Sequence, residues 1–189
     1  MNSIRLYGFL MLAALAFASC RNIPEYPAGP QITVNRVDKT VITFNQQPTD
    51  KLDFIINFTD GDGDLGLGTG GRDIQPPYQY CQEPFNSDQN CIVVNPDYNN
   101  WRMKFLVKQP DGQFALHPLV GNSYSGRFPR LEPEDGEAGP LDGTLTYTIR
   151  LEHVFFQPNT VAKFEIQILD RSFNESNVVV TPEVILNEQ

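Results

Sequence analysis

From residue 31 onward, apolar and polar residues alternate in short runs separated by Gly, Pro, Asn and Asp, the pattern of half-buried strands joined by turns. In Trp101 to Lys108, Trp101, Met103, Phe105 and Val107 share one face while Arg102, Lys104 and Lys108 share the other, which predicts a sheet with one wet face. Thr144 to Leu151 repeats the pattern with Leu145, Tyr147, Ile149 and Leu151 inward, and Ala162, Phe164, Ile166 and Ile168 repeat it again. Leu52 to Phe58 reads as an apolar strand that runs into an acidic loop. Ile32, Val34 and Val37 with Val41, Ile42 and Phe44 read as a first strand or a split pair. The turn signal Gln109-Pro110-Asp111-Gly112-Gln113 predicts that Phe114 to Leu119 pairs back as a hairpin. Asn177 to Leu186 closes the chain as a β-branched strand, and Pro182 inside it argues for an edge position. No segment carries a convincing helical period.

About seven such strands predict an all-β fold, an immunoglobulin-like antiparallel β-sandwich, with two long loop insertions at residues 60–100 and 120–142. Long ordered loops often carry function.

Ahead of the strands stands a different kind of segment. Arg5 is followed by an uncharged apolar run from Leu6 to Ala18, shorter than the roughly 20 residues that span a bilayer, so residues 1–19 read as a signal peptide. Phe17-Ala18-Ser19-Cys20 resembles the lipobox of bacterial lipoproteins, although Phe17 stands where Leu is usual. The resemblance implies that Cys20 is lipidated and becomes the N-terminus, with its acyl chains anchoring the protein to a membrane. Residues 20–30, with prolines at 24, 27 and 30, read as a tether, and 31–189 as the β-sandwich domain.

Loss of residues 1–19 removes Arg5, so 14 basic residues become 13 against 23 acidic ones and the net charge moves from −9 to −10. The remaining basic residues are scattered, which argues against nucleic acid as a partner. An acidic surface suits solubility and equally suits a protein that binds divalent cations. With Cys20 assigned to lipid, Cys81 and Cys91 remain, ten positions apart in a loop-like segment of an exported chain, and a disulfide is the natural reading. Two thiols with no nearby His lack the usual ligand spacing of a zinc site.

The sharpest local signal is Asp60-Gly61-Asp62-Gly63-Asp64-Leu65-Gly66. Alternate carboxylates on a glycine-hinged loop can wrap one hard cation, with Ca²⁺ as a structural ion the expectation. The loop departs from an EF-hand: its glycine falls one place late and Gly71 stands where the twelfth-position Glu belongs. The alternative is a solvated acidic turn. In a sandwich, the loop after the second strand and the loop before the last share an end, so Asp170 and Asn174 are expected to approach Asp60, Asp62 and Asp64. The alternative for that second loop is a turn with only local bonds.

Residues 76–101 hold Tyr78, Tyr80, Phe85, Tyr98 and Trp101 among polar residues, which makes them either a recognition surface or the seal over a small core. Enzyme chemistry has little support. His117 and His153 lie in strand-like surroundings with no nucleophile motif, and Glu132, Glu134, Asp135 and Glu137 read better as a solvated loop than as a glycosidase pair.

The order Phe58-Thr59-Asp60-Gly61-Asp62-Gly63-Asp64-Leu65-Gly66, Arg127-Phe128-Pro129, Asp142-Gly143-Thr144-Leu145-Thr146-Tyr147, Asp170 to Asn177 and Thr181-Pro182-Glu183 resembles a group of small Bacteroidota lipoproteins of unknown function. The resemblance spans most of the chain after Cys20 and implies fold and location only. Those lineages often mark surface-exported lipoproteins with acidic residues after the cysteine, and Arg21-Asn22-Ile23-Pro24 departs from this. The expectation is therefore attachment to the periplasmic face of the outer membrane rather than the cell surface. The functional expectation is a non-catalytic binding or scaffolding lipoprotein whose partner is an envelope protein or glycan. The alternatives are a surface module that recognises carbohydrate or protein through 76–101 and a hydrolase using the 132–137 carboxylates.

Overall fold

The computed structural model describes residues 25–68, 73–81, 93–118, 124–131 and 139–189. Among the described residues eight strands form, in chain order: β1 (Gln31–Phe44), β2 (Gln47–Asp60), β3 (Trp101–Lys108), β4 (Phe114–Leu116), β5 (Leu141–Glu152), β6 (Thr160–Ile168), β7 (Val179–Val180) and β8 (Val184–Leu186). One sheet has the order β1-β2-β5. The other runs β4-β3-β6-β7, with β8 also paired to β6. Every pairing is antiparallel. The first, second and fifth strands thus face the third, fourth, sixth and last, which is an immunoglobulin-like sandwich with its final strand in two pieces. Among the described residues the one helical element is a 3-10 turn at His153–Phe155.

Strand alternation builds the core. Leu52, Phe54 and Ile56 of β2 and Leu145, Ile149 and Leu151 of β5 point at Trp101, Met103 and Phe105 of β3 and Phe164, Ile166 and Ile168 of β6. Phe164 meets Phe54 edge-on at 4.8 Å and stacks on Phe105 at 5.0 Å. Trp101 lies nearly parallel to Tyr147 across the two sheets, with ring centroids 4.4 Å apart. Burial of each such side chain contributes about 1.5–3 kcal/mol.

The structure refines the strand reading at three places. The first strand is one continuous element, bent by a register shift between Val34 and Arg36, and Asn45 and Gln46, both at positive φ, turn it into β2. The hairpin partner of β3 is shorter than expected and stops at Leu116. Around Pro182, which has no N–H for the ladder, the closing strand divides into β7 and β8, and Thr181 fills the gap: its N–H donates to the Phe164 carbonyl and its hydroxyl oxygen accepts the Phe164 N–H, both at 3.0 Å.

Candidate metal centre

The acidic loop begins inside the last residue of β2. Asp60 pairs with Leu141 of β5, and its side chain is fully buried. From there the chain turns sharply: Gly63 is at φ +69°, a left-handed conformation that suits glycine, and its α-carbon lies so close to the Gly139 carbonyl that no side chain fits. Beyond the turn Leu65 forms an antiparallel bridge with Asp170, the second residue past β6. That bridge is what unites two loops far apart in sequence.

As a result, Asp60, Asp62, Asp64 and Asp170 each place a carboxylate oxygen within 4.8 Å of the others. Asp60 and Asp170 are buried, Asp64 is half-buried and Asp62 is exposed, so the cluster opens to solvent on one side. Several of the oxygens are already engaged. Oδ2 of Asp60 accepts the Asp64 N–H at 2.9 Å. Asp64 accepts the Arg171 N–H at 3.2 Å and the Ser172 hydroxyl at 2.7 Å. Asp170 accepts the Asn174 N–H at 2.7 Å and its side-chain amide at 2.8 Å. Oδ1 of Asp60 is different: it is buried and has no hydrogen-bond partner among the described residues.

A buried carboxylate oxygen without a donor is costly, and three neighbouring carboxylates make it more so. Burial, reinforced by the Asp62 charge, pushes the Asp60 carboxyl up to about 7 from its ordinary 3.8. Burial and the charges of the other members raise Asp62 and Asp170 as well. An oxygen-rich, anionic and partly open cluster of this kind can hold a hard divalent cation, which would satisfy the orphan oxygen and cancel the repulsion at once.

Each expected site residue has a definite place or lies outside the described residues. The four aspartates come together. Asn174 joins them as the donor that orients Asp170. Arg171 and Ser172, which sequence reasoning did not single out, hold Asp64, and the Arg171 guanidinium donates to the carbonyl of Leu65 at 3.1 Å. Their signal was position alone, directly after Asp170.

Of the aromatic residues, Tyr78 braces the second loop: its hydroxyl donates to the Arg171 carbonyl at 2.7 Å and its ring stacks on Phe173 at 5.4 Å. Tyr80 is exposed and meets Tyr98 edge-on at 5.0 Å, while the Arg127 guanidinium covers Tyr98 at 4.8 Å. Buried Asn95, also missed, ties this region together by donating to the carbonyls of Pro77 and Gln79. Phe128 is core, and the side chain of Asn100 brackets its backbone from both sides. Half-buried His117 stacks on Phe105, and burial lowers its pKa. Cys81 is buried and bridges Val94. Cys20, Phe85, Cys91 and residues 132–137 lie outside the described residues.

No protein-family model matches this chain, and no curated protein sequence matches it. The solved structures similar to it include the X-ray structure of Northeast Structural Genomics Consortium target SoR45, which is 8% identical, covers 84% of this chain and 86% of that one, and superposes with a TM-score of 0.28. That distance carries no functional argument.

Proposed function

We propose that this chain is an envelope-anchored lipoprotein whose β-sandwich is a non-catalytic binding or scaffolding module stabilised by one Ca²⁺ at Asp60, Asp62, Asp64 and Asp170. The observation that carries the metal reading is the buried, unpartnered Oδ1 of Asp60 among three further carboxylates within 4.8 Å. Buried oxygens and four carboxylates favour Ca²⁺ over softer metals, which select thiolate or imidazole. Its role is structural, because the ligands come from the loop after β2 and the turn after β6, and an ion shared between them locks the two together. Thermal unfolding in excess Ca²⁺ and in EDTA is the direct test. Ca²⁺ should raise the melting temperature of the wild type and lose that effect in Asp62→Asn and Asp170→Asn; identical melting with and without the ion would leave only a solvated acidic turn.

Placement in the envelope rests on the lipobox resemblance, with lipid on Cys20 and the outer membrane as the site of attachment, on its periplasmic face. Pairing of Cys81 with Cys91 fits an exported chain and is supported by the burial of Cys81, which is not a free thiol. Mass mapping without reductant decides that pairing.

A second reading, recognition of a glycan or an envelope protein, is favoured by the exposed ring of Tyr80, packed beside Tyr98 and the Arg127 guanidinium. Rigid aromatics with polar neighbours form such surfaces. A glycan array with wild type and Tyr80→Ala tests it; equal signals from both would remove Tyr80 from recognition.

A further inference from the structure

The acidic loop touches a third segment besides the turn after β6. The N–H of Gly61 donates to the carbonyl of Pro27 at 2.8 Å. Gly61 sits so tightly there that a Cβ would fall 2.4 Å from the Tyr26 carbonyl oxygen and 2.5 Å from that of Pro27. Two residues further on, a Cβ at Gly29 would stand 3.2 Å from Cβ of Asn174, the residue that orients Asp170. The end of the segment read from sequence as a tether therefore touches both loops that supply the carboxylates, with Pro27 and Ala28 still exposed.

The pairing Gln31↔Thr59 at the start of β1 puts this segment at the acidic end of the sandwich, the end from which the chain leads back toward Cys20. Gly61 lies between Asp60 and Asp62, so the orientation of its peptide is set by where the two flanking carboxylates are held. Carboxylates converging on a cation would hold that peptide as it stands, and unrelieved repulsion between them would let it turn away. Pro27 contributes only its carbonyl here, since it has no N–H of its own.

We infer that ion occupancy of the acidic loop controls docking of residues 26–30, and so sets how closely the folded domain is held to its lipid anchor. This inference rests on the Ca²⁺ and lipobox readings above. With the ion bound, Gly61 and Asn174 clamp the segment and fix the domain's orientation over the membrane. With the ion absent, the clamp opens, and release of residues 27–30 adds about 13 Å of reach at roughly 3.3 Å per residue. A divalent cation thus regulates the stand-off of the domain from the bilayer.

Amide hydrogen exchange on the mature lipidated protein in detergent micelles, in excess Ca²⁺ and in EDTA, tests this. The amide of Gly61, which donates to the Pro27 carbonyl, should exchange about tenfold more slowly or better with Ca²⁺, a difference expected of local opening. Asp62→Asn should abolish that protection. Gly29→Val, outside the acidic loop, should keep the Ca²⁺-dependent rise in melting temperature and lose the Ca²⁺-dependent protection of the Gly61 amide. If Gly29→Val does not fold, Gly29→Ala places a smaller wedge at the same position and should behave the same way. Melting that responds to Ca²⁺ while exchange at Gly61 does not would overturn the clamp and leave the metal site standing. Neither melting nor exchange responding would remove both.

Discussion

Asp60 ends β2 and Asp170 follows β6, in opposite sheets of the sandwich, yet both are buried and their carboxylates lie within 4.8 Å of one another. The Leu65–Asp170 bridge holds them there. Because that approach is made by backbone pairing, the repulsion between the carboxylates cannot be relieved by moving the loops apart without breaking strand-like contacts. Relief must come from protonation or from a cation.

Stability without the ion should therefore depend on pH in a defined direction. The folded-state pKa of Asp60 is raised to about 7, so its contribution is fully present below about 4 and is lost as pH rises through 7. Asp62 and Asp170 shift the same way. Asp73 acts oppositely: the Arg130 guanidinium holds its carboxyl down at about 2, so that contribution is present above about 4 and is lost as pH falls toward 2. Metal-free protein should melt highest near pH 4 to 5 and progressively lower toward pH 8, and Ca²⁺ should flatten the neutral side. A melting temperature that climbs from pH 5 to 8 in metal-free buffer would contradict the assignment.

Asp60→Asn separates charge from shape. The amide oxygen can still accept the Asp64 N–H, while the buried negative charge disappears. We expect this variant to melt above wild type at pH 8 in metal-free buffer and to gain nothing from Ca²⁺. Calorimetric titration with Ca²⁺ and a paired melting scan measure both halves of the expectation.

The opposite wall of the loop depends on Asp73, whose carboxylate accepts the Gly68 N–H and both arms of the Arg130 guanidinium. Asp73→Ala leaves those donors unmet near a partly exposed arginine, at a cost of about 1–3 kcal/mol. Urea unfolding should show this as a lower midpoint with an unchanged slope. A midpoint equal to wild type would show that solvent replaces the carboxylate.

Cys20→Ser tests the anchor. Only a thiol at this position, after Phe17-Ala18-Ser19, can take the lipid in the lipobox reading. The variant should appear in the soluble fraction or keep its signal segment, and wild-type fractionation with normal processing would refute lipidation at Cys20.

Much of the sandwich was legible in the chain because alternation has a period of two and turn residues punctuate it. Trp101 to Lys108 and Ala162 to Ile168 announce their buried faces directly. The acidic loop was legible as well, since Asp and Gly in strict alternation have few other uses. The roles of Arg171, Ser172 and Asn95 were not, because a hydrogen-bond donor carries no periodic mark and acquires its partner only when distant loops meet.

Sequence by itself determined which residues face inward along the strands and that a run of carboxylates follows the second strand, since both depend on local patterning and backbone preference. That Asp170 approaches the run was an expectation from sequence; tertiary structure alone decided that Leu65 pairs with it, that one oxygen of Asp60 is left without a donor among the described residues, and that Gly61 grips Pro27. These depend on the pairing of strands far apart in the chain. Such pairing fixes distances between side chains to within ångströms, whereas a sequence pattern specifies only the face on which each side chain lies.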